Sequence, residues 1–274
     1  MRKIGTRMHL ALALASFLLL TGCANHRSSG GNSSGERSAD GELPTMSDQT
    51  SAQKRASINL ELAVGYYQRH ENSVALDKIK LALAADPDYS QAYDMRALIY
   101  MDMQETHLAE ENFLHALRLA PNNPEYNNNY GWFLCSNGRE RESLTYFETA
   151  IKDRNYSSPA VAMDNAGMCN MKLNNMLEAE KYFKRAFNFD PSNLKVNENL
   201  ARLYYTRKEY DQAKFYIGRL IKANVTDASV LWLGIRIAHK SGDRMTEGAL
   251  GAELQRYHAD SIQYASFQRE AFDE

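Results

Sequence analysis

The chain has 274 residues, 44% of them apolar, which is enough for one large helical array or for two ordinary domains. Its formal net charge is −2; without Arg2, Lys3 and Arg7 of a leader, 29 Lys and Arg face 34 Asp and Glu, a net charge of −5. Nucleic-acid binding needs a basic face that neutralises phosphates, so the composition argues against a nucleic-acid partner.

Residues 1–22 predict a secretory leader, because basic residues precede an apolar run over residues 10–20. Eleven helical residues span about 16 Å, less than the roughly 30 Å of a bilayer core, so this run is not a membrane-spanning helix. Residues 20–23, Leu-Thr-Gly-Cys, resemble a bacterial lipobox, which implies a covalent lipid on Cys23. The alternative is an ordinary signal peptide with a chance cysteine. By the same resemblance, Ala24 points to the periplasmic face of the outer membrane.

Residues 23–54 are predicted to be the lipidated cysteine and a flexible tether. Ser, Gly and Asn dominate residues 25–35, and no apolar period begins before Ile58. Such a composition cannot bury enough surface to offset the entropy of ordering. About 31 flexible residues give an end-to-end distance of roughly 30 Å, which would hold the following domain away from the bilayer.

From residue 56 the sequence repeats about every 34 residues, with repeats that start near 56, 90, 124, 160, 194 and 228. Small residues recur at repeat positions 8, 20 and 27, where only Gly, Ala or Ser lets two helices approach closely. Large residues recur at positions 7, 11 and 24, and proline often follows at position 32. This period is typical of tetratricopeptide (TPR) repeats. We predict an all-α, right-handed solenoid of about six helix-turn-helix repeats over residues 55–257.

Several local features depart from the strict period. Repeats three and four are 36 residues apart, with an extra loop over residues 156–159. Repeat six has Ile235 at position 8, as expected of a terminal repeat with one neighbour. Asn123 and Ser158, each followed by proline, are predicted to cap helices. Residues 258–274 are either a capping helix, with Tyr264 and Phe267 inward, or a ragged tail.

In a TPR stack, the first helix of each repeat lines a concave groove through positions 2, 5, 9, 12 and 13. Apolar residues are frequent at these positions and suit an adaptable peptide-binding surface. The predicted partner-binding groove consists of Leu60, Val64, Tyr67, Leu98, Met101, Asn128, Trp132, Met168, Met171 and Tyr205. The alternative is a tightly closed superhelix in which these side chains pack on one another.

The groove lacks the basic carboxylate clamp of chaperone-binding TPR modules. Chaperone-binding TPR modules hold an acidic C-terminus with Lys and Asn at positions 5 and 9 of their first repeat, where this chain has Leu60 and Val64. An acidic C-terminal peptide is therefore a poor candidate ligand.

Catalytic motifs are missing from the sequence: it has no Gly-rich phosphate loop, no Gly-x-Ser-x-Gly and no His-Glu-x-x-His. The seven histidines are scattered, as surface histidines are. We expect a binding scaffold with no catalytic site, no metal site, no small-molecule substrate and no cofactor other than the lipid.

Two segments are more specific than the general repeat. Residues 128–135, Asn-Asn-Tyr-Gly-Trp-Phe-Leu-Cys, with Gly138-Arg139, and residues 165–169, Asn-Ala-Gly-Met-Cys, resemble the PilF/PilW pilotins, lipoproteins of type IV pilus biogenesis and stability. The order of lipobox, tether and six repeats is similar along the whole chain. The resemblance implies that the protein binds the pilus secretin and promotes its localisation and multimer assembly in the outer membrane. The turn at His70, where glycine is common, departs from the family.

The resemblance places both cysteines of the repeats where the family has them. Cys135 and Cys169 lie on the first helices of neighbouring repeats, and an exported location permits oxidation. We predict a disulfide between them; the alternative is two buried free thiols. Two other functions stay open: an adaptor for cell-wall hydrolases or for outer-membrane protein insertion, and an enzyme. Loss of secretin multimers on gene deletion would separate the pilotin from the adaptor.

Overall fold

The computed structural model describes residues 50–273, which form thirteen helices and no strand. The predicted leader, Cys23 and most of the predicted tether lie outside the described residues. The helices are α1 (Ser51–Gln68), α2 (Asn72–Ala85), α3 (Ser90–Asp102), α4 (Thr106–Leu119), α5 (Pro124–Ser136), α6 (Glu140–Lys152), α7 (Pro159–Lys172), α8 (Met176–Phe189), α9 (Leu194–Thr206), α10 (Tyr210–Lys222), α11 (Ala228–Lys240), α12 (Arg244–His258) and α13 (Ile262–Gln268).

The first twelve helices pair into six hairpins, each an odd-numbered A helix followed by an even-numbered B helix. The two helices of a hairpin cross at the small residues of the repeat, as the period predicts: Ala63, Ala75 and Ala82 of the first hairpin are fully buried. In the sixth hairpin the two helices approach most closely one residue earlier, at Gly234, and a Cβ there would lie 2.8 Å from Leu250. The predicted TPR solenoid is thus confirmed.

Each hairpin turns at repeat position 15 in the left-handed backbone region. Gly138 and Gly242 have φ values of 80° and 73° there, and glycine adopts this region without strain. His70 has the same geometry, with φ of 60°. The non-glycine residue in repeat one therefore leaves the turn unchanged.

The helix starts show where local sequence decides a boundary. Helix α1 begins at Ser51, inside the segment assigned to the tether, because Thr50 and Gln53 form a reciprocal capping box; the tether boundary at residue 54 is corrected accordingly. Asn123 caps α5 as predicted, through hydrogen bonds from two backbone N–H groups. Ser158 precedes α7 but makes no capping bond, so that prediction is wrong; its hydroxyl lies 3.4 Å from that of Ser157 instead.

The C-terminal segment closes the stack with a short helix, the first of the two alternatives. Phe267 of α13 lies over Gly251 of α12, where a Cβ would come within 2.4 Å of its ring. Phe272 then turns back into a cluster with Leu231, Ile235 and Leu254. None of the described helices is both long and apolar enough to cross a membrane.

Candidate binding groove

The A helices line the inner face of the stack. The backbone of each A helix from α1 to α11 comes close to that of the next A helix, whereas neighbouring B helices in the described residues meet only through long side chains, such as Tyr182 with Glu148. Rows of hairpins that pack more closely along one side than along the other form a curved array with the A helices on its concave side. The predicted groove positions therefore belong to the inner face.

Nine of the ten predicted groove residues lie on this face with part of their surface accessible. Each also packs against the core beneath it, so the groove is lined by half-buried side chains. This arrangement is intermediate between a fully open groove and the tightly closed superhelix given above as the alternative. Leu60, Val64, Tyr67 and Leu98 pack on the α1–α3 cluster, Met101 on the α3–α5 cluster, Trp132 on the cluster around the cysteines, and Met168, Met171 and Tyr205 on the α7–α11 cluster.

Asn128 is a correction, because its side chain is buried and does not line the groove. Its Oδ1 accepts a 2.9 Å hydrogen bond from the side-chain amide of Asn165 on the next A helix. The side chain at repeat position 5 faces the A helix of the next repeat wherever that repeat has asparagine at position 6. Asn128 thus holds two repeats together.

The centre of the groove is held by a covalent bond. Cys135 of α5 and Cys169 of α7 form a disulfide with their Cα atoms 5.9 Å apart, and both residues are fully buried. Trp132, one turn before Cys135, packs on the cluster that contains both cysteines and Phe147. The bond fixes the spacing of α5 and α7, and with it the accessible part of Trp132.

The structure also adds a group of basic side chains to the predicted groove residues. A cavity of about 510 Å³ opens at the C-terminal end of the inner face and includes Met171 and Tyr205. Four basic side chains line it: Arg202, Lys208, Arg236 and Lys240. Arg202 and Arg236 occupy position 9 of repeats five and six, a groove position, so basic residues there were the signal that could have revealed this pocket.

Two carboxylates pair with these cations, and one of them, Asp273, also lines the cavity. Arg202 donates to Glu198 at 2.8 Å, and Lys240 pairs with Asp273. The hydrogen bond from Lys240 lowers the pKa of Asp273, so that carboxylate is charged at neutral pH. Four cations against two anions leave the described part of the pocket with an excess positive charge, on a protein whose overall charge is negative.

The described residues contain no group of three or more His, Cys, Asp or Glu side chains that could hold a metal ion. The features on the inner face are apolar, aromatic and charged side chains along a shallow surface, which suit contact with a protein segment.

Helical hairpins with small residues at their crossings and an inner face of A helices define a TPR protein. Tetratricopeptide repeat models match residues 90–123, 112–145 and 171–233. The chain is 29% identical to the type IV pilus assembly protein PilF of Pseudomonas aeruginosa over 211 residues, 77% of this chain and 84% of that protein.

Solved structures extend this similarity. The crystal structure of PilW, described as a widely conserved type IV pilus biogenesis factor, is 32% identical with a TM-score of 0.73, over 78% of this chain and 98% of that one. The structure of P. aeruginosa PilF is 28% identical with a TM-score of 0.72, over 81% of this chain and all of that one. The chain belongs to the PilF/PilW family of TPR proteins of type IV pilus biogenesis.

Proposed function

We propose that this protein is the outer-membrane lipoprotein pilotin of a type IV pilus system. Its TPR scaffold binds the pilus secretin in the periplasm and promotes secretin localisation and multimer assembly. Catalysis has no part in this role, since the scaffold acts by holding a protein segment. The observation that carries the proposal is membership of the PilF/PilW family, with almost the whole of PilW covered.

The inner face supports protein binding on physical grounds. Half-buried aromatic and methionine side chains such as Trp132 and Met168 offer apolar area to a partner while the core beneath holds them in place. Binding hot spots have this character: well-packed residues that lose their remaining water on complex formation. A secretin segment laid along the A helices would cover them.

The lipid anchor belongs to the same proposal. The lipobox ending at Cys23 supports a covalent acyl anchor, and the Ser- and Gly-rich residues after it support a tether from the periplasmic face of the outer membrane. More than one acyl chain is needed for stable membrane attachment. The scaffold would then bind secretin near the bilayer into which the multimer inserts.

The experiment uses a strain that lacks the gene, complemented with the wild-type gene, with Cys23→Ala or with Ser28→Ala. The serine variant is the matched control, since it makes a similar small change five residues further along the same segment. Membrane fractions are probed for the protein and for secretin multimers. We expect Cys23→Ala to leave the outer membrane and to reduce multimers there, whereas Ser28→Ala behaves as wild type.

Two results would contradict different parts of the proposal. Unchanged outer-membrane fractionation of Cys23→Ala would refute the lipid anchor. Normal secretin multimers in the deletion strain, with altered septation or porin assembly, would refute the pilotin role and favour an adaptor.

A further inference from the structure

The C-terminal pocket already holds a peptide segment, which is the chain's own. The backbone carbonyl of Phe272 accepts hydrogen bonds from the Tyr205 hydroxyl at 3.2 Å and from Arg236 Nε at 3.1 Å. The Phe272 ring stacks on His239 with centroids 3.8 Å apart, and Asp273 pairs with Lys240. A carbonyl, an aromatic ring and a carboxylate are therefore each bound by a different group.

This segment fills only part of the pocket. The cavity of about 510 Å³ stays open beside Asp273, whose side chain is 84% exposed. Lys208 and Arg236 form no ion pair with any described residue, and the Arg236 guanidinium lies over the Tyr205 ring, 4.7 Å from its centroid. An exposed ion pair such as Lys240–Asp273 contributes little to stability, so a competing carboxylate can replace Asp273.

We propose that the pocket between α7, α9 and α11 binds an acidic peptide segment of a protein partner, and that Phe272 and Asp273 occupy part of this site until the partner arrives. The proposal deepens the proposed function, on which it rests for the identity of the inner face as the binding face. The positive pocket on an acidic protein favours acidic segments by charge complementarity and disfavours basic ones.

The contacts of Phe272 and Asp273 indicate which kind of partner segment fits the pocket. Its aromatic ring enters the cluster of Trp232, His239 and Phe267, and its carboxylate follows directly on the pocket side. A partner segment with an aromatic residue next to acidic residues would reproduce these contacts and add carboxylates for Lys208 and Arg202. Because the chain's own segment is attached, it competes at a high effective concentration.

The test uses the full chain with Cys23→Ala and a fluorescein-labelled hexapeptide with the sequence of residues 269–274, Arg-Glu-Ala-Phe-Asp-Glu. Fluorescence anisotropy measures its binding. We expect weak binding to the parent chain and at least about fivefold tighter binding to Asp273→Asn, because the competing carboxylate is gone. Adding Arg236→Gln to Asp273→Asn should weaken binding about tenfold or more, whereas Lys222→Gln, the same charge change on the exposed part of α10, should not.

Equal peptide affinity with and without Arg236→Gln would overturn the proposal. So would equal affinity for the acidic peptide and for a peptide in which Asn and Gln replace its Asp and Glu residues. A dimer that forms through Asp273 would assign the pocket to a second copy of this chain and overturn the proposal of a different protein partner. Thermal melts by circular dichroism verify that each variant is folded. The peptide assay contains no secretin, so its result remains valid even if the pilotin role is refuted. Conversely, normal secretin binding by Arg236→Gln would refute the acidic-peptide site and leave the pilotin role intact.

Discussion

The Asp94 carboxylate accepts a 2.9 Å hydrogen bond from the side-chain amide of Asn129 and so joins helix α3 to helix α5. The same two repeat positions, five and then six of the next repeat, are joined at two further interfaces. These bonds run from Asn165 to Asn128 and from Asn199 to Asp164, also at 2.9 Å. The result is a ladder of amide and carboxyl side chains that links four successive A helices.

The ladder predicts a pH dependence of stability. Burial raises the pKa of Asp94 to about 7, against about 3.9 in an unfolded chain. Its contribution to stability is fully present below the unfolded pKa and is lost as the pH rises through the folded one. We expect Asp94→Asn to raise the melting temperature at pH 8 more than at pH 5, because it removes a buried charge present only at the higher pH.

Thermal melts at both pH values measure this difference. The matched control is Asp77→Asn on the exposed side of α2, which makes the same chemical change outside the core. If Asp94→Asn shifts the melting temperature equally at pH 5 and pH 8, the buried carboxyl is not the source of the dependence.

A second prediction concerns the close crossing in the fourth hairpin. A methyl group on Gly167 would lie 2.5 Å from the ring of Phe183, which is fully buried and has little room to move. We expect Gly167→Ala to lower the free energy of unfolding by about 1–3 kcal/mol through overpacking. Urea denaturation measures the loss.

Gly218 on α10 supplies the control, since a Cβ there would meet nothing within 4 Å. Gly218→Ala should stabilise the protein by about 0.5–1 kcal/mol, because alanine favours the helix. Equal stability of the two alanine variants would show that the crossing at Gly167 is looser than the structure indicates.

These crossings were predictable from the sequence because each hairpin repeats the same local packing. The small residue at position 8 and the large one at position 24, such as Gly167 and Phe183, encode it within one repeat. The C-terminal pocket was not predictable in the same way. The bond from Tyr205 to Phe272 joins residues 67 apart in sequence, and no period relates them. Asn128 was misassigned because its direction depends on how closely neighbouring repeats approach.

The third prediction concerns the disulfide between Cys135 and Cys169, which closes a long loop, 34 residues apart in sequence. Cross-linking restricts the unfolded chain, so reduction should lower the free energy of unfolding by about 2–4 kcal/mol. Thiol labelling of the unfolded protein without reductant should modify neither cysteine. Labelling of both would show that the thiols are free, and the melting temperature should then be insensitive to reductant.

The last prediction concerns Trp132 and Met168 as anchors for the secretin. Both are half-buried on the inner face, with a supported side and an accessible side. Truncating either to alanine should weaken binding of the purified periplasmic part of the secretin by about 1–3 kcal/mol, as expected for a packed anchor that is desolvated on binding. Phe215→Ala is the control, since Phe215 is an aromatic residue 57% exposed on the outer helix α10. Biolayer interferometry gives the affinities and circular dichroism the folding of each variant. Trp132→Ala with unchanged affinity and a less cooperative melt would assign the tryptophan to the core, whereas retained folding with weaker binding assigns it to the interface.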